Sequence, residues 1–150
     1  MAASAAPARR IVTLSSVCLL DGRQYQTKQY VLQALQQVPR KTDLVVLPHL
    51  PFLSVTERGA ARSLKPFAEF AASRKTYLAV SLAQRAGGKL YYVSFLLDRG
   101  GKLVGKYRKT HRLADDPADL ALGDELPVFA TDFGTIGLTI TTDFTFFEPY

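Results

Sequence analysis

The densest group of side chains able to do chemistry in this sequence is Lys106-Tyr107-Arg108-Lys109-Thr110-His111. Two further stretches stand out: Val46-Leu47-Pro48-His49, where an apolar strand delivers an imidazole out of a sheet, and Thr139-Ile140-Thr141-Thr142-Asp143, which closes another apolar strand. All three fall at predicted C-terminal ends of strands, where α/β folds usually place function. What the set lacks is a good nucleophile. The single cysteine, Cys18, lies in the apolar run 11–20, where a buried, inert thiol is expected.

The elements that must position these groups follow from periodicity and turn residues. Residues 11–17 read as a first strand, and Asp21-Gly22 as a turn. Val31, Leu32, Leu35 and Val38 recur at helical spacing within residues 24–38, and Pro39 ends that helix. Residues 43–47 form a continuous apolar run closed by Pro48, which suits a strand covered on both faces. Residues 50–62 read as an irregular loop. Leu64, Phe67, Ala68, Phe70 and Ala71 then make the apolar face of a second helix. Strands over 77–83 and 91–98 flank the Gly87-Gly88 turn, and Gly100-Gly101 turns the chain into 102–107. An acidic loop over 113–124 leads to strands at 127–131 and 136–141 around Phe133-Gly134. The order β-α-β-α-β-β-β-β-β predicts a mixed α/β (α+β-like) sheet with both helices on one face. The other face must then pack on something, a second sheet within this chain or in another.

Composition narrows the classes. At 150 residues with 47% apolar and 21% charged residues, the chain suits one globular domain rather than a disordered segment. Nineteen basic against thirteen acidic residues leave +6, but the surplus is spread along the chain. No basic repeat is interleaved with aromatics, so nucleic-acid binding is not the expected role. One cysteine excludes an intrachain disulfide and points to a reducing compartment, hence a cytoplasmic location. Arg9-Arg10 before an apolar run mimics a short signal peptide. Ser15 and Ser16 interrupt that run, no small-residue cleavage site follows, and it is too short to span a bilayer. Residues 1–10 are therefore expected to be a disordered leader, and residues 11–150 the domain.

Taken in series, four motifs resemble the nitrilase superfamily of carbon–nitrogen hydrolases. They are Asp43-Leu44-Val45-Val46-Leu47-Pro48-His49; the stretch from Gly105 to Leu113, with Arg112 as an extra residue; Gly123-Asp124-Glu125-Leu126-Pro127-Val128-Phe129; and the stretch from Phe133 to Asp143. The resemblance implies the N-terminal half of an α-β-β-α sandwich, a small amide, nitrile or N-carbamoyl substrate, and no metal or cofactor. It also implies that a homo-oligomeric copy or a completing chain segment covers the rest of the sandwich, since Phe144, Phe146, Phe147 and Tyr150 would otherwise be exposed.

The family's mechanism uses a cysteine thiolate as nucleophile, a glutamate as general base and a lysine that stabilises the tetrahedral oxyanion. By position Lys109 keeps the lysine role, His49 replaces the glutamate and Thr141 replaces the cysteine. A hydroxyl needs an adjacent base, and a neutral imidazole has no negative charge to pair with Lys109. The resemblance thus implies a catalytically impaired hydrolase-like domain, a pseudoenzyme. Two alternatives stay open: an active amide hydrolase with Thr141 or Thr142 as nucleophile and His49 as base, and a non-catalytic binding or assembly subunit. Each residue also has a purely structural reading. His49 would cap a loop or bond a carbonyl, Thr141 and Thr142 would pack a strand end, and Lys109 would sit on a solvated basic face. Asp143 and Glu148 would pair with arginine or cap backbone amides, while Asp115, Asp116 and Asp119 fall where the family places a further acidic residue, with no clean match among them.

Overall fold

The computed structural model describes residues 11–19, 22 and 26–146. The expected leader, Asp21 of the first turn, Glu148, Phe147 and Tyr150 lie outside the described residues. Strands β1 (Leu14–Ser16), β2 (Leu44–Thr56), β3 (Tyr77–Ala86), β4 (Lys89–Leu97) and β5 (Leu103–Arg108) form one sheet in that order. The first three are parallel and the last two antiparallel. Strands β6 (Val128–Thr131) and β7 (Gly134–Gly137) form a separate two-stranded sheet. The element order is the expected one.

Alternation along the strands sorts the two faces. Val45, Leu78, Val80, Phe95 and Leu97 pack against Val31 and Leu35 of α1 (Lys28–Leu35) and Leu64, Phe67, Phe70 and Ala71 of α2 (Ala60–Arg74). Both helices therefore cover one face. The intervening residues Leu44, Tyr77, Ala79 and Leu96 point the other way, where Phe129, Phe133, Ile136 and Leu138 of the β6–β7 hairpin meet them. The second layer is thus supplied within the chain. Phe129 crosses β5 at Gly105, where an added Cβ would lie 2.2 Å from its ring, so glycine is what lets the two sheets approach there.

Three expectations need correcting. Strand β2 does not stop at Pro48, and residues 50–62 are not a loop: the strand runs on to Thr56 and α2 begins at Ala60. Register with β3 slips between Val46 and His49 and again between Leu50 and Ser54. These irregularities absorb Pro48 and Pro51, which donate no ladder hydrogen bond. Strand β7 ends at Gly137, and residues expected to extend it to Thr141 instead lead into a 3-10 turn over Thr141–Thr145. Cys18 is exposed, not buried. Pairing of the edge strand β1 ends with the Val17 N–H bonded to the Val46 carbonyl, so Cys18 leaves the sheet.

Arg99 joins the layers. Its guanidinium donates to Asp43 at 2.6 Å, to both Asp132 oxygens at 3.0 and 3.2 Å, and to the Lys75 carbonyl at 2.6 Å, and it lies 5.3 Å from the Tyr77 ring centroid. One side chain thus ties the start of β2, the end of α2 and the β6–β7 turn to the β4–β5 turn. Arg99→Ala is expected to cost roughly 1–3 kcal/mol, seen as a melting temperature several degrees lower. A variant melting with the parent would show the clamp to be dispensable.

Candidate active site

The slip in β2 decides which side chain reaches the cleft. Val46 pairs with Ala79, and without an extra residue Pro48 would stand opposite Ser81; the bulge puts His49 there instead. Continuing across the sheet, Ser81 pairs with Ser94 and Ser94 with Tyr107. His49, Ser81, Ser94 and Tyr107 therefore form one polar row across the face that the hairpin covers. Between that row and the segment after β7 lies a cleft of about 420 Å³, whose walls include His49, Ser81, Ser94 and Thr141.

His49 has neither of the structural partners anticipated for it. Both ring nitrogens are shielded from solvent and make no hydrogen bond, and the ring stands edge-on to Tyr92 at 4.3 Å. Burial lowers its pKa to about 4; the Lys109 charge adds to the lowering, and the Asp116 carboxylate opposes it. The imidazole is neutral at pH 7. The linkage sign follows: the unfolded chain takes up this proton near pH 6.5, the folded chain only near pH 4. Stability therefore falls as pH drops through that window and levels off below it. Between pH 7 and 5 this group alone is expected to remove about 1–2 kcal/mol. Urea unfolding at both pH values should show a smaller difference for His49→Phe than for the parent; an equal difference would refute the assignment.

Lys109 follows β5, whose alternation separates it from its basic neighbours. Lys106 and Arg108 face Glu57 at 3.5 and 3.7 Å, and the Arg108 guanidinium lies 4.3 Å from the Tyr91 ring centroid. Tyr107 and Lys109 point inward and are buried. Lys109 is no solvated surface residue: at 0% exposure its ammonium donates to the His111 carbonyl at 2.5 Å and pairs with Asp116 at 3.1 Å. Of the three loop acids that the sequence offered without a clean match, Asp115, Asp116 and Asp119, it is Asp116 that reaches the lysine. The loop closes back on the lysine through the Gly123 N–H, 2.8 Å from the Lys109 carbonyl, at a glycine whose added Cβ would lie 2.8 Å from the Arg108 carbonyl oxygen. Asp119 instead pairs with Arg85 at 3.5 Å, on the surface.

Thr141 opens the 3-10 turn at φ 50°, a left-handed conformation unusual for a β-branched residue and costing on the order of 1–3 kcal/mol. Such strain persists only where surrounding structure imposes it. Here Asp143, fully buried, does so: its carboxylate accepts from the Ile140 N–H at 3.1 Å, the Tyr107 hydroxyl at 2.7 Å and the His111 N–H at 3.1 Å, with His111 Nδ1 at 3.3 Å. Asp143 thus caps backbone amides and locks the Thr141 elbow to the strand end that carries Lys109. Burial and this carboxylate push the Tyr107 phenol up to about 12.

The geometry brings His49 and Thr141 to one cleft and sets the Lys109–Asp116 pair where both charges act on His49. It does not join base to hydroxyl. Thr141 Oγ1 bonds the Ile140 carbonyl at 2.8 Å, and Thr142 Oγ1 is buried without a partner. Among the described residues no group of three or more His, Cys, Asp or Glu gathers as a metal site, and no helix is long and apolar enough to cross a membrane.

A mixed sheet with helices on one face, a second sheet on the other, and a cleft between them defines an α/β sandwich domain. The carbon–nitrogen hydrolase family model matches residues 11–149, and the chain belongs to that family. It is 36% identical over 69 residues to a nitrilase of Bacillus sp. (strain OxB-1), covering 45% of this chain and 20% of the relative. A carbon–nitrogen hydrolase structure from Helicobacter pylori G27 superposes with a TM-score of 0.76 at 22% identity, over 92% of this chain and 54% of that one. An amidase from Nesterenkonia sp. AN1, whose active-site cysteine undergoes Michael addition of acrylamide in a mutant, matches with a TM-score of 0.68 at 16% identity, over 92% and 57%. The chain spans one fifth of the Bacillus relative and just over half of these two structures, corresponding to the N-terminal half of the family fold.

Proposed function

We propose that this chain is a catalytically impaired carbon–nitrogen hydrolase domain that keeps a pocket for amide-type ligands and turns them over slowly or not at all. The observation that carries this is the absence of a hydrogen bond between His49 and either candidate hydroxyl, beside a buried lysine already held by Asp116. A hydroxyl nucleophile depends on an adjacent base, and the only imidazole lining the cleft has no partner to deprotonate. The competing active-hydrolase reading would require the ring and the Thr141 side chain to move into contact.

The test is a panel of short amides, nitriles and N-carbamoyl compounds incubated with the chain. Release of ammonia at the rate of the buffer blank is the expected result. Turnover above the blank that Lys109→Ala abolishes would overturn the impaired reading. A further reading, as an assembly subunit with a completing segment or a second copy, draws support from the exposed Leu14, Val128 and Phe144. Light scattering addresses it, with a strictly monomeric solution state counting against self-association.

A further inference from the structure

Two covers share the face opposite the helices. The β6–β7 hairpin lies over Leu44, Tyr77, Ala79 and Leu96, while residues 112–121 lie over the β3–β4 hairpin, where Leu120 packs with Ala83, Leu90 and Tyr92. Ser81 falls between Ala79 and Ala83 along β3, so His49, its partner on β2, stands at the seam. Residues 112–121 hold their own shape. The Arg112 guanidinium donates to the Pro117 and Leu120 carbonyls, and the Leu113 N–H donates to the Asp116 carboxylate at 2.8 Å. This strap is tied to the sheet by the Leu120 packing, by the Ala121 N–H on the Leu90 carbonyl at 2.7 Å, and by the exposed Arg85–Asp119 pair. At its centre the tie is the buried Lys109–Asp116 pair.

Closure takes water from the polar groups beneath. Lys109 and Asp116 compensate each other, but the His49 ring has the Tyr92 edge beside it and both its nitrogens go without a hydrogen bond. A proton on that ring would be a charge in a dry site, repelled by Lys109 and attracted by Asp116. The Tyr92 phenol is pushed further up by burial and stays uncharged, and Asp119 beyond it is paired with Arg85. Lifting the strap returns the ring to water. The covered ring takes its proton near pH 4 and a hydrated one near pH 6.5, so the open form binds more protons in between. Acid therefore favours opening from about pH 6.5 downward, and the gain levels off below about pH 4.

We propose that residues 112–121 form an acid-released strap, latched near neutrality by Asp116 on Lys109 and lifted from the β3–β4 hairpin when His49 takes up a proton. Release uncovers the imidazole and the ammonium together, so pH decides whether either can meet a ligand. The inference stands on the seam geometry, whether or not the neighbouring cleft turns a ligand over.

Amide hydrogen exchange of the full chain, corrected for intrinsic rates, tests this. Ala121, whose N–H joins strap to sheet, is compared with Tyr77, whose N–H bonds the Asp43 carbonyl within the main sheet. Between pH 7 and pH 5 the protection of Ala121 is expected to fall about twentyfold, and in His49→Phe by less than about threefold. At pH 7 dilute urea should leave Ala121 protection unchanged while that of Tyr77 declines, because lifting the strap exposes far less surface than unfolding. Asp116→Asn removes the latch and serves if His49→Phe does not fold. It should lower Ala121 protection at pH 7 at least tenfold, still without urea dependence. One shared protection and one urea dependence for Ala121 and Tyr77 would mean that the strap opens only with the whole domain, which overturns the inference. A pH response that survives in His49→Phe overturns it too, since release would then belong to a carboxylate.

Discussion

Thr141→Cys is expected to be alkylated by acrylamide at least tenfold faster than the native Cys18 in the same molecule. The two thiols provide their own control. Cys18 is exposed and lies just past the end of the edge-strand pairing, so it is open to the reagent and serves as the internal reference. Position 141 sits at a strained elbow fixed to the end of β5 by Asp143, on the wall of the cleft it shares with His49, the group on which the buried Lys109 charge acts. A nearby cation lowers a thiol's pKa and raises its thiolate fraction near neutrality. Adding His49→Glu places a carboxylate on the same bulge of β2, restoring the glutamate, lysine and cysteine that the family's chemistry uses. General acid–base assistance is commonly worth about 10²–10⁴-fold, so the double variant should hydrolyse a small amide at least a hundredfold faster than Thr141→Cys alone. Peptide mass spectrometry reads the first result and ammonia release the second. If Thr141→Cys reacts no faster than Cys18, the elbow is not an activating position and the assignment of Thr141 to the nucleophile position fails.

Asp143→Ala is expected to cost about 3–5 kcal/mol, a large fraction of the roughly 5–15 kcal/mol that stabilises an ordinary domain. The carboxylate is fully buried and its oxygens take donors from three separate segments: the Tyr107 hydroxyl on β5, the His111 backbone and ring, and the Ile140 amide. Truncation removes the acceptor of the Ile140 and His111 amides, each of which then carries its own desolvation penalty, while the Tyr107 hydroxyl and the His111 ring keep Thr110 Oγ1 at 3.0 and 2.9 Å. Asp143→Asn keeps one acceptor oxygen and should fall between alanine and the parent. Urea unfolding followed by circular dichroism ranks the three. An alanine variant within about 1 kcal/mol of the parent, where ordinary surface substitutions fall, would show that solvent or rearrangement replaces the hub. The strained φ of Thr141 offers a second readout, since glycine at 141 should stabilise only while the hub holds the elbow.

Much of the framework was legible from local pattern. Helical spacing in Leu64, Phe67, Phe70 and Ala71, continuous apolar runs for the buried strands, and glycine pairs at turns are short-range signals. The elements they predict are the ones found. Pro48 suggests a strand end because a proline ends a strand in most contexts, and only pairing with β3 reveals that bulges accommodate it and Pro51. The exposure of Cys18 had the same origin: an apolar run promises burial, but not for residues beyond the last paired position of an edge strand.

By itself, then, the sequence determined the order of elements, the family motifs and the candidate positions 49, 109 and 141, because periodicity and motif spacing are properties of neighbouring residues. Only the tertiary structure decided what those positions face. It turned His49 rather than Pro48 into the cleft through a one-residue bulge, and it separated Lys109 from Lys106 and Arg108 by strand alternation. It also brought Asp116 to the buried ammonium and made Asp143 the hub that holds Thr141 at its elbow. These pairings join residues from different elements, and burial gives them their force. An ion pair or an unpartnered imidazole matters because packing has taken it out of water, and no residue's place in the chain reveals that.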